Sequence, residues 1–508
     1  MYPSQTNFES WVELGNKGWS PDEMAPYLRK FHTYTPPTRE TAELLSTDEY
    51  MKAENQGTNG PVPVTLPDIY NNFSRAWDDT FAKLGWKTNA DPINGKKMGA
   101  FTSPLSVDSK GRRGYATAYY TAEVAQRRNL LVQTETMVEK ILFDKKHEKP
   151  KATGVQVRGL RGDIQRITAR CEVILCAGVI NSPQLLELSG IGRADVLRKH
   201  GIPLVHDSPG VGENLQDHAM VTLGFEVAED QVSGDAVRGP EILNELIRQY
   251  DSTGTGPLAG IQTSVAYLPA VDGQGKLSKE TIQELLAQHS QDTSAQRQCQ
   301  YDILNQMLLD NKAPNGQYIF GAQQHHTNPG VTTTQNLMEK KSSKDYISIF
   351  VLLSRPYSRG SVHIRSRQVS DKPVYDPNML SHPLDLELLA RETQFVDRLV
   401  GTEPFSSLLK PSSRIPEYST DFDDLDATKE IVKDQLFTCF HPTGTCAMMP
   451  ADMNGVVDPC LKVHGVTNLR IVDASVFPME PAGNIQATTY AVAERAADLI
   501  KEERHCPS

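Results

Sequence analysis

Cys171-Glu-Val-Ile-Leu-Cys-Ala-Gly178 runs straight into Val179-Ile-Asn-Ser-Pro-Gln-Leu-Leu-Glu-Leu-Ser-Gly190. The first piece is short, apolar and closed by a glycine, which reads as a buried strand. The second carries Ser182 as a candidate N-cap, Pro183 at a first helical turn and Gly190 as a stop, which predicts a helix. A buried strand passing through a glycine into a capped helix is the layout of an α/β nucleotide site. The glycine lets a ligand approach the backbone, and the helix N-terminus favours a phosphate. The same layout also serves α/β cores that bind nothing.

Working outward, the pattern returns near the C-terminus. Asn468-Leu-Arg-Ile-Val-Asp473 reads as a strand ending in an acid, followed by a loop with Pro478, Pro481 and Gly483. Asn484–Ile500 then reads as one helix, with Ala487, Ala491, Ala497 and Ile500 on its apolar side. Upstream, Leu130–Phe143 alternates and is β-branched, and Val155–Val157 and Arg166–Ala169 continue that strand pattern. Ala116–Arg127 is helix-like. Asn7–Phe31 reads as two helices broken at Gly15–Gly18, the second capped by Ser20 with Pro21 in its first turn. Thr33–Pro67, rich in Pro, Thr, Gly and Asn, reads as surface loop.

Residues 221–430 differ in character. Helix-like Glu241–Tyr250, Lys279–Gln288 and Asp385–Val400 mix with extended Tyr346–Leu353 and Gly360–Ile364 and with polar loops at Ala313–Gly316 and Asn328–Thr334. This is a second, α+β unit inserted between the two α/β segments.

The bulk numbers exclude several function classes. At 508 residues the chain holds roughly two large or three ordinary domains. Hydrophobic residues at 38% and charged residues at 23% describe an ordinary globular protein. The balance of 52 basic and 63 acidic side chains, −11 net, disfavours a nucleic-acid partner. The most apolar stretches, such as Val173–Ile180, are too short to span a membrane. Met1–Lys30 carries Pro3, Glu9 and Glu13 and no apolar core of a signal peptide, so the chain reads as cytoplasmic. Cys171, Cys176, Cys299, Cys439, Cys446, Cys460 and Cys506 are odd in number and form no CxxC pair. They predict reduced, mostly buried thiols and no metal centre.

Several longer motifs occur in order: Cys176-Ala-Gly-Val-Ile-Asn-Ser-Pro-Gln-Leu-Leu-Glu-Leu-Ser-Gly-Ile-Gly192, Pro209-Gly-Val-Gly-Glu-Asn-Leu-Gln-Asp-His218, Ser354-Arg-Pro-Tyr-Ser-Arg-Gly-Ser361, His441-Pro-Thr-Gly-Thr-Cys-Ala-Met448, Gly455-Val-Val-Asp458, Val472-Asp-Ala-Ser-Val-Phe-Pro478 and Gly483-Asn-Ile-Gln-Ala487. On these the chain resembles the glucose–methanol–choline (GMC) oxidoreductase family from about Tyr2 to about Lys501. The resemblance implies a GMC-like fold, α/β plus α+β: a doubly wound FAD-binding domain with an inserted mixed-sheet substrate domain. It divides the chain into an N-terminal remnant, lid and linker region (1–97), a first FAD-binding segment (98–220), the substrate domain (221–430), and a second FAD-binding segment with the catalytic block (431–508).

One departure is large. The strand, Gly-x-Gly-x-x-Gly turn and helix that hold the FAD pyrophosphate in the family do not occur in these 508 residues. Phe8–Phe31 resembles the segment that follows them. The FAD-binding domain is therefore expected to be incomplete, with unpaired strand edges and exposed apolar surface, and FAD binding is put in question. An incomplete copy of a longer protein, whose own N-terminus could carry a secretion signal, is the expected explanation.

The family oxidises alcohols by hydride transfer to flavin, and a base must take the hydroxyl proton. Histidine suits this because its unperturbed pKa, about 6.5, lies near working pH. His441 matches the catalytic histidine, and Asn484 the partner position that holds the substrate oxygen. For the cofactor, the resemblance implies Val138 beside the adenine, and Ala177 and Gly178 at the turn beside the nucleotide. It implies Asp473 and Ala474 near the pyrophosphate and ribityl chain, and Gln486 and Ala487 with Asn484 at the start of the last helix. Asp473 reads equally as an N-cap or salt-bridge acid, Cys446 as an inert buried thiol, and His218 as lying in a structural motif outside the site. The chain resembles the fungal branch that includes aryl-alcohol oxidase and secondary-metabolite dehydrogenases, which implies a small aromatic or polyketide-like alcohol as substrate. Two other readings stand beside this one: a non-redox cyclase or dehydratase on the same scaffold, and an inactive remnant.

Overall fold

The protein is described by a computed structural model covering all residues except 89, 292, 326–330, 332, 340–341, 417–421 and 506–508. The Cys171–Gly178 run forms the strand Val173–Leu175, which pairs in parallel with Leu469–Ile471 from the C-terminal block, Ile174 opposite Arg470. Two segments almost 300 residues apart thus make one α/β layer. Helix Gly178–Leu188 follows the first strand, and helix Gln486–His505 lies beyond the second.

The first of these helices begins five residues earlier than its sequence suggests. Ser182 is not its cap but sits one turn inside, where its Oγ accepts the Ala177 N–H and donates to Asp473. The chain can turn at Gly178 because φ is +82° there, a conformation that favours glycine. Strands Thr136–Asp144, Lys151–Gly159 and Ile164–Thr168 form an antiparallel sheet packed on this helix. The Ile141 N–H donates to Ser189 Oγ at the helix end. The expected strand pattern from Leu130 is shorter than its alternation implied, since residues 130–135 form no strand.

The inserted unit is built on a seven-stranded sheet. Its order is Leu409–Ile415, Ala219–Val227, Tyr346–Leu353, Gly316–Gly321, Ser264–Leu268, Gly99–Thr102, with Phe437–Thr438 also on Ala219–Val227, and every pairing is antiparallel. The outer segments 98–220 and 431–508 therefore each lend it a strand. Alternation sorts the two faces. Val221, Val351, Tyr318 and Ala266 are aligned across the sheet and face helices Asn72–Lys83, Pro383–Val400 and Leu425–Gln435. Tyr318 packs there on Phe81 and Phe395. Their neighbours Thr222, Phe350, Ile319, Val265 and Phe101 align on the opposite face, toward the cavity described below.

The N-terminal helices are Gln5–Glu13 and Pro21–Lys30, the second closed by the Ser20–Glu23 capping box. Thr33–Pro67 is more ordered than its composition predicted: His32–Tyr34 pairs with Val62–Val64, and Arg39–Leu44 is helical. Ala116–Arg127, expected as helix, is helical only in two short pieces, a 3-10 helix Ala116–Tyr119 and an α-helix Ala122–Ala125. All six described cysteines are free, but only Cys446 is buried, so the expectation of mostly buried thiols fails; Cys506 lies outside the described residues, as do 328–330 and 332 of the Asn328–Thr334 loop. No helix among the described residues is long and apolar enough to cross a membrane.

Candidate active site

After strand Phe437–Thr438 the chain passes Phe440, whose φ of +59° turns it sharply, and delivers His441 into the interior. The loop is held by the segment at the end of the Pro209–His218 motif. Gln216 and Thr443 exchange backbone hydrogen bonds of 3.0 and 2.9 Å. Asp217 accepts from the His441 N–H (3.0 Å) through one oxygen and from Thr438 Oγ1 (2.5 Å) through the other. Burial pushes the Asp217 carboxyl up to about 6.

Asn484 approaches from the other side. Gly483 before it has φ +87°, and a Cβ there would lie 2.2 Å from Tyr267 Oη and 3.1 Å from Lys97 Nζ. Only glycine lets the chain pass so close. Lys97, fully buried, donates to the Tyr2 and Ala482 carbonyls and lies 3.9 Å over the Tyr267 ring, so the loop is stitched to the N-terminal segment. As a result Asn484 Nδ2 lies 3.0 Å from His441 Nε2. Burial pushes the His441 imidazole down to about 4, so near neutral pH it is uncharged with a free lone pair. Cys439 Sγ is 4.0 Å from the same nitrogen, its thiol pushed well up by burial.

Asn484 and Gln486 form part of the wall of a cavity of about 600 Å³. Met220, Ile319 and Phe350 from the sheet, with Leu258, Ile261 and Phe440, make it largely apolar. Tyr250, Gln262 and His325 add isolated polar groups. A larger groove of about 870 Å³ beside Phe225 and Arg414 contains none of these residues.

The expected nucleotide residues gather elsewhere. Asp473 ties the two parallel strands to the helix: one carboxylate oxygen accepts from the Gly178 N–H (3.0 Å) and Ser182 Oγ (2.6 Å), the other from the Ser475 N–H (2.8 Å). This helix end already takes its anion from within the chain, so a second anion at the same amides is disfavoured. Ala177 and Gly178 are half-buried, with nothing within 4 Å of a Cβ built on Gly178. Ala474 is buried beside them, and Val138 lies half-buried on the strand packed against the helix. The two groups are joined through the backbone: Gly444 donates to Ala474 O and Cys446 to Ser475 O. Ala487, also buried, follows Gln486 in the last helix.

The residues present fit the ring end of a flavin better than its phosphate end. Asn484 Oδ1 and Thr488 Oγ1, at the start of the last helix, are buried polar atoms without partners, and a bound polar group would satisfy them. The strand Val173–Leu175, by contrast, pairs on one edge only among the described residues, and Ile174, Ile180, Val132 and Leu131 are exposed.

His218, which the sequence reading left outside the site, lies directly against His441. It is fully buried, with Nδ1 2.9 Å from His441 Nδ1, Nε2 3.2 Å from Ser354 O, and Glu480 Oε1 3.5 Å from Nδ1. No spacing in the sequence shows this, because the contact depends on Gln216 pairing with Thr443; a His-Asp neighbour pair entering an apolar strand was the available hint.

Two family models, both described as GMC oxidoreductase, match residues 1–220 and 356–493. Dehydrogenase mpl7 of Monascus purpureus is 32% identical, over 99% of this chain and 81% of its own length. An FAD-dependent oxidoreductase from Chaetomium thermophilum superimposes with a TM-score of 0.85 at 26% identity, over 99% of this chain and 84% of that one. A fungal aryl-alcohol oxidase does so at 0.83 and 25%, with the same coverage. The His441–Asn484 pair, the cavity beside it and the parallel-strand layer thus stand in a chain that belongs to the GMC oxidoreductase family, a family of FAD-dependent oxidoreduction.

Proposed function

We propose that this chain oxidises a primary or secondary alcohol on a small, largely apolar skeleton, with FAD as the hydride acceptor and His441 as the base. The observation that carries the reading is the 3.0 Å pair of His441 Nε2 and Asn484 Nδ2, with Asn484 itself in the wall of a largely apolar cavity. An alcohol oxygen seated beside the pair, replacing the direct amide contact on Nε2, receives a hydrogen bond from the Asn484 amide and gives its proton to the imidazole. The amide then faces the charge that grows on that oxygen. FAD, when bound, accepts the hydride from the carbinol carbon. Asn484, Gln486 and Ala487 at the start of the last helix hold its ring, and Ala474, Asp473, Gly178, Ala177 and Val138 mark the path toward its nucleotide end. Met220, Ile319, Phe350 and Phe440 exclude water and select an aromatic or polyketide-like body, in keeping with a role in secondary metabolism.

The test is anaerobic. The purified chain is mixed with FAD, separated from free flavin, and exposed to benzyl alcohol or to glycerol. Bleaching of the protein-bound flavin band by the aromatic alcohol is expected. Bound flavin that no alcohol bleaches would defeat the proposal, and alcohol turnover without bleaching would favour the non-redox reading.

A further inference from the structure

We propose that His218 is a positioning residue that locks His441 in the tautomer with its proton on Nδ1, leaving Nε2 bare to receive the alcohol proton. This deepens the proposed function and rests on it. The assignment follows from which atoms can only donate or only accept. The Ser354 carbonyl oxygen, 3.2 Å from His218 Nε2, only accepts, so His218 Nε2 carries hydrogen. In a neutral His218 the other nitrogen, Nδ1, is then bare. His441 Nδ1 is 2.9 Å away, and two bare nitrogens would repel, so His441 Nδ1 carries the shared proton and donates it. His441 Nε2 is left as an acceptor, which is what the Asn484 amide N–H at 3.0 Å requires. Each group in the row from Ser354 through His218 and His441 to Asn484 then has one consistent role.

Charge agrees with geometry. Burial, reinforced by His441, holds His218 well below the usual imidazole range, so it is neutral. Burial pushes the Glu480 carboxyl well above the usual carboxylate range, outweighing the opposing pull of the His218 backbone N–H. A neutral Glu480 3.5 Å from His218 Nδ1 does not call for a protonated imidazole there. The Asp217 carboxylate is engaged by the His441 N–H and Thr438 rather than by either ring. When Nε2 takes the alcohol proton, His441 becomes cationic, and its Nδ1–H already points at the His218 lone pair. The proton stays on His441, and no second transfer is needed.

The experiment uses the full chain with ring-labelled histidine and reads imidazole nitrogen chemical shifts, with His441→Gln to assign the signal. A protonated Nδ1 and a bare Nε2 are expected for His441 in the unsubstituted chain. In His218→Leu, which removes the acceptor, the two tautomers should mix. In His218→Asn, whose side-chain oxygen can accept near the Nδ1 position, the single tautomer should return. In alcohol-dependent flavin reduction, His218→Leu should lower kcat at least about tenfold with KM little changed, since a base in the wrong tautomer cannot act, and His218→Asn should recover most of it. A bare Nδ1 on His441 in the unsubstituted chain, or a tautomer indifferent to His218→Leu, would overturn the proposal. If the unsubstituted chain reduces no flavin at all, the functional reading fails while the shifts still decide the tautomer.

Discussion

The two ends of the expected flavin site are built differently. Around His441 the polar contacts reach across chain segments: Asp217 and Gln216 on the loop backbone, His218 and Asn484 on the ring, Lys97 beneath Ala482, while Asn484 Oδ1 and Thr443 Oγ1 are left without a partner. Around Gly178 the polar partners are few, and the apolar groups are open. Asp473 satisfies the helix end, while Ile174, Ile180, Val132 and Leu131 face solvent. Folding alone organises the first region. In the second, the surface left open is of the kind that monomeric proteins cover. The difference teaches that the two regions are organised by separate sets of contacts: the hydrogen bonds around His441 cross between distant segments, while the strand-and-helix layer around Gly178 keeps an open apolar edge.

The strongest way to break that comparison is at the base. His441→Ala should slow flavin reduction by about 10²–10⁴-fold, the usual contribution of a positioned base, with bound flavin unchanged. Anaerobic rapid-mixing absorbance measures the first and the flavin-to-protein absorbance ratio the second. A loss of flavin together with rate would mean that the two regions are not independent. The pH profile sharpens the same point. The proposed base must be neutral to act, and burial pushes the His441 imidazole down to about 4 from the ordinary 6.5. The acid limb of kcat/KM should therefore appear as pH falls through about 4, with little change between pH 7 and 5. A limb near 6.5 that persists in Asp217→Asn, which removes the carboxyl pushed up to about 6, would show that His441 is far more solvated than its burial indicates.

Much of this was legible in the sequence where the signals are local. Tyr346–Leu353 and Lys279–Gln288 form as read, Gly190 stops its helix with φ +89°, and Ser20 caps the second helix through Glu23. The pairing of His441 with Asn484 was readable because a family motif surrounds each. Cross-chain partners were not. Ser182 looked like a cap because Ser-Pro usually opens a helix, but Asp473, 291 residues away, supplies the acceptor at that end. His218 looked structural because its partner lies 223 residues on. Long-range hydrogen bonding carries no periodicity, so neither contact could be counted from spacing.

Asp473 offers the next test, of moderate size. Asp473→Ala removes the acceptor of the Gly178 N–H, Ser182 hydroxyl and Ser475 N–H at once. Half-buried donors left without a partner cost about 1–3 kcal/mol. Urea unfolding should show a loss in that range with an unchanged slope, and Ser182→Ala a smaller one. If Asp473 serves flavin alone, the apoprotein's stability should not respond.

The smallest effect on stability tests the open face itself. Leu131 is 87% exposed and Val132 52%, in a segment without regular structure. Neither side chain stabilises the fold much, because neither leaves water on folding, so Leu131→Ser should shift unfolding free energy by no more than about 0.5 kcal/mol. The same substitution should nonetheless reduce binding of a hydrophobic fluorescent dye and slow concentration-dependent association, since those respond to apolar area in water rather than to the folding equilibrium. A pronounced destabilisation would mean that Leu131 is packed, and that this end of the molecule is more finished than its exposure shows. An unchanged dye signal, with Ile174 and Ile180 still in place, would move the responsible surface from the 130–132 segment to the strand and helix around Gly178.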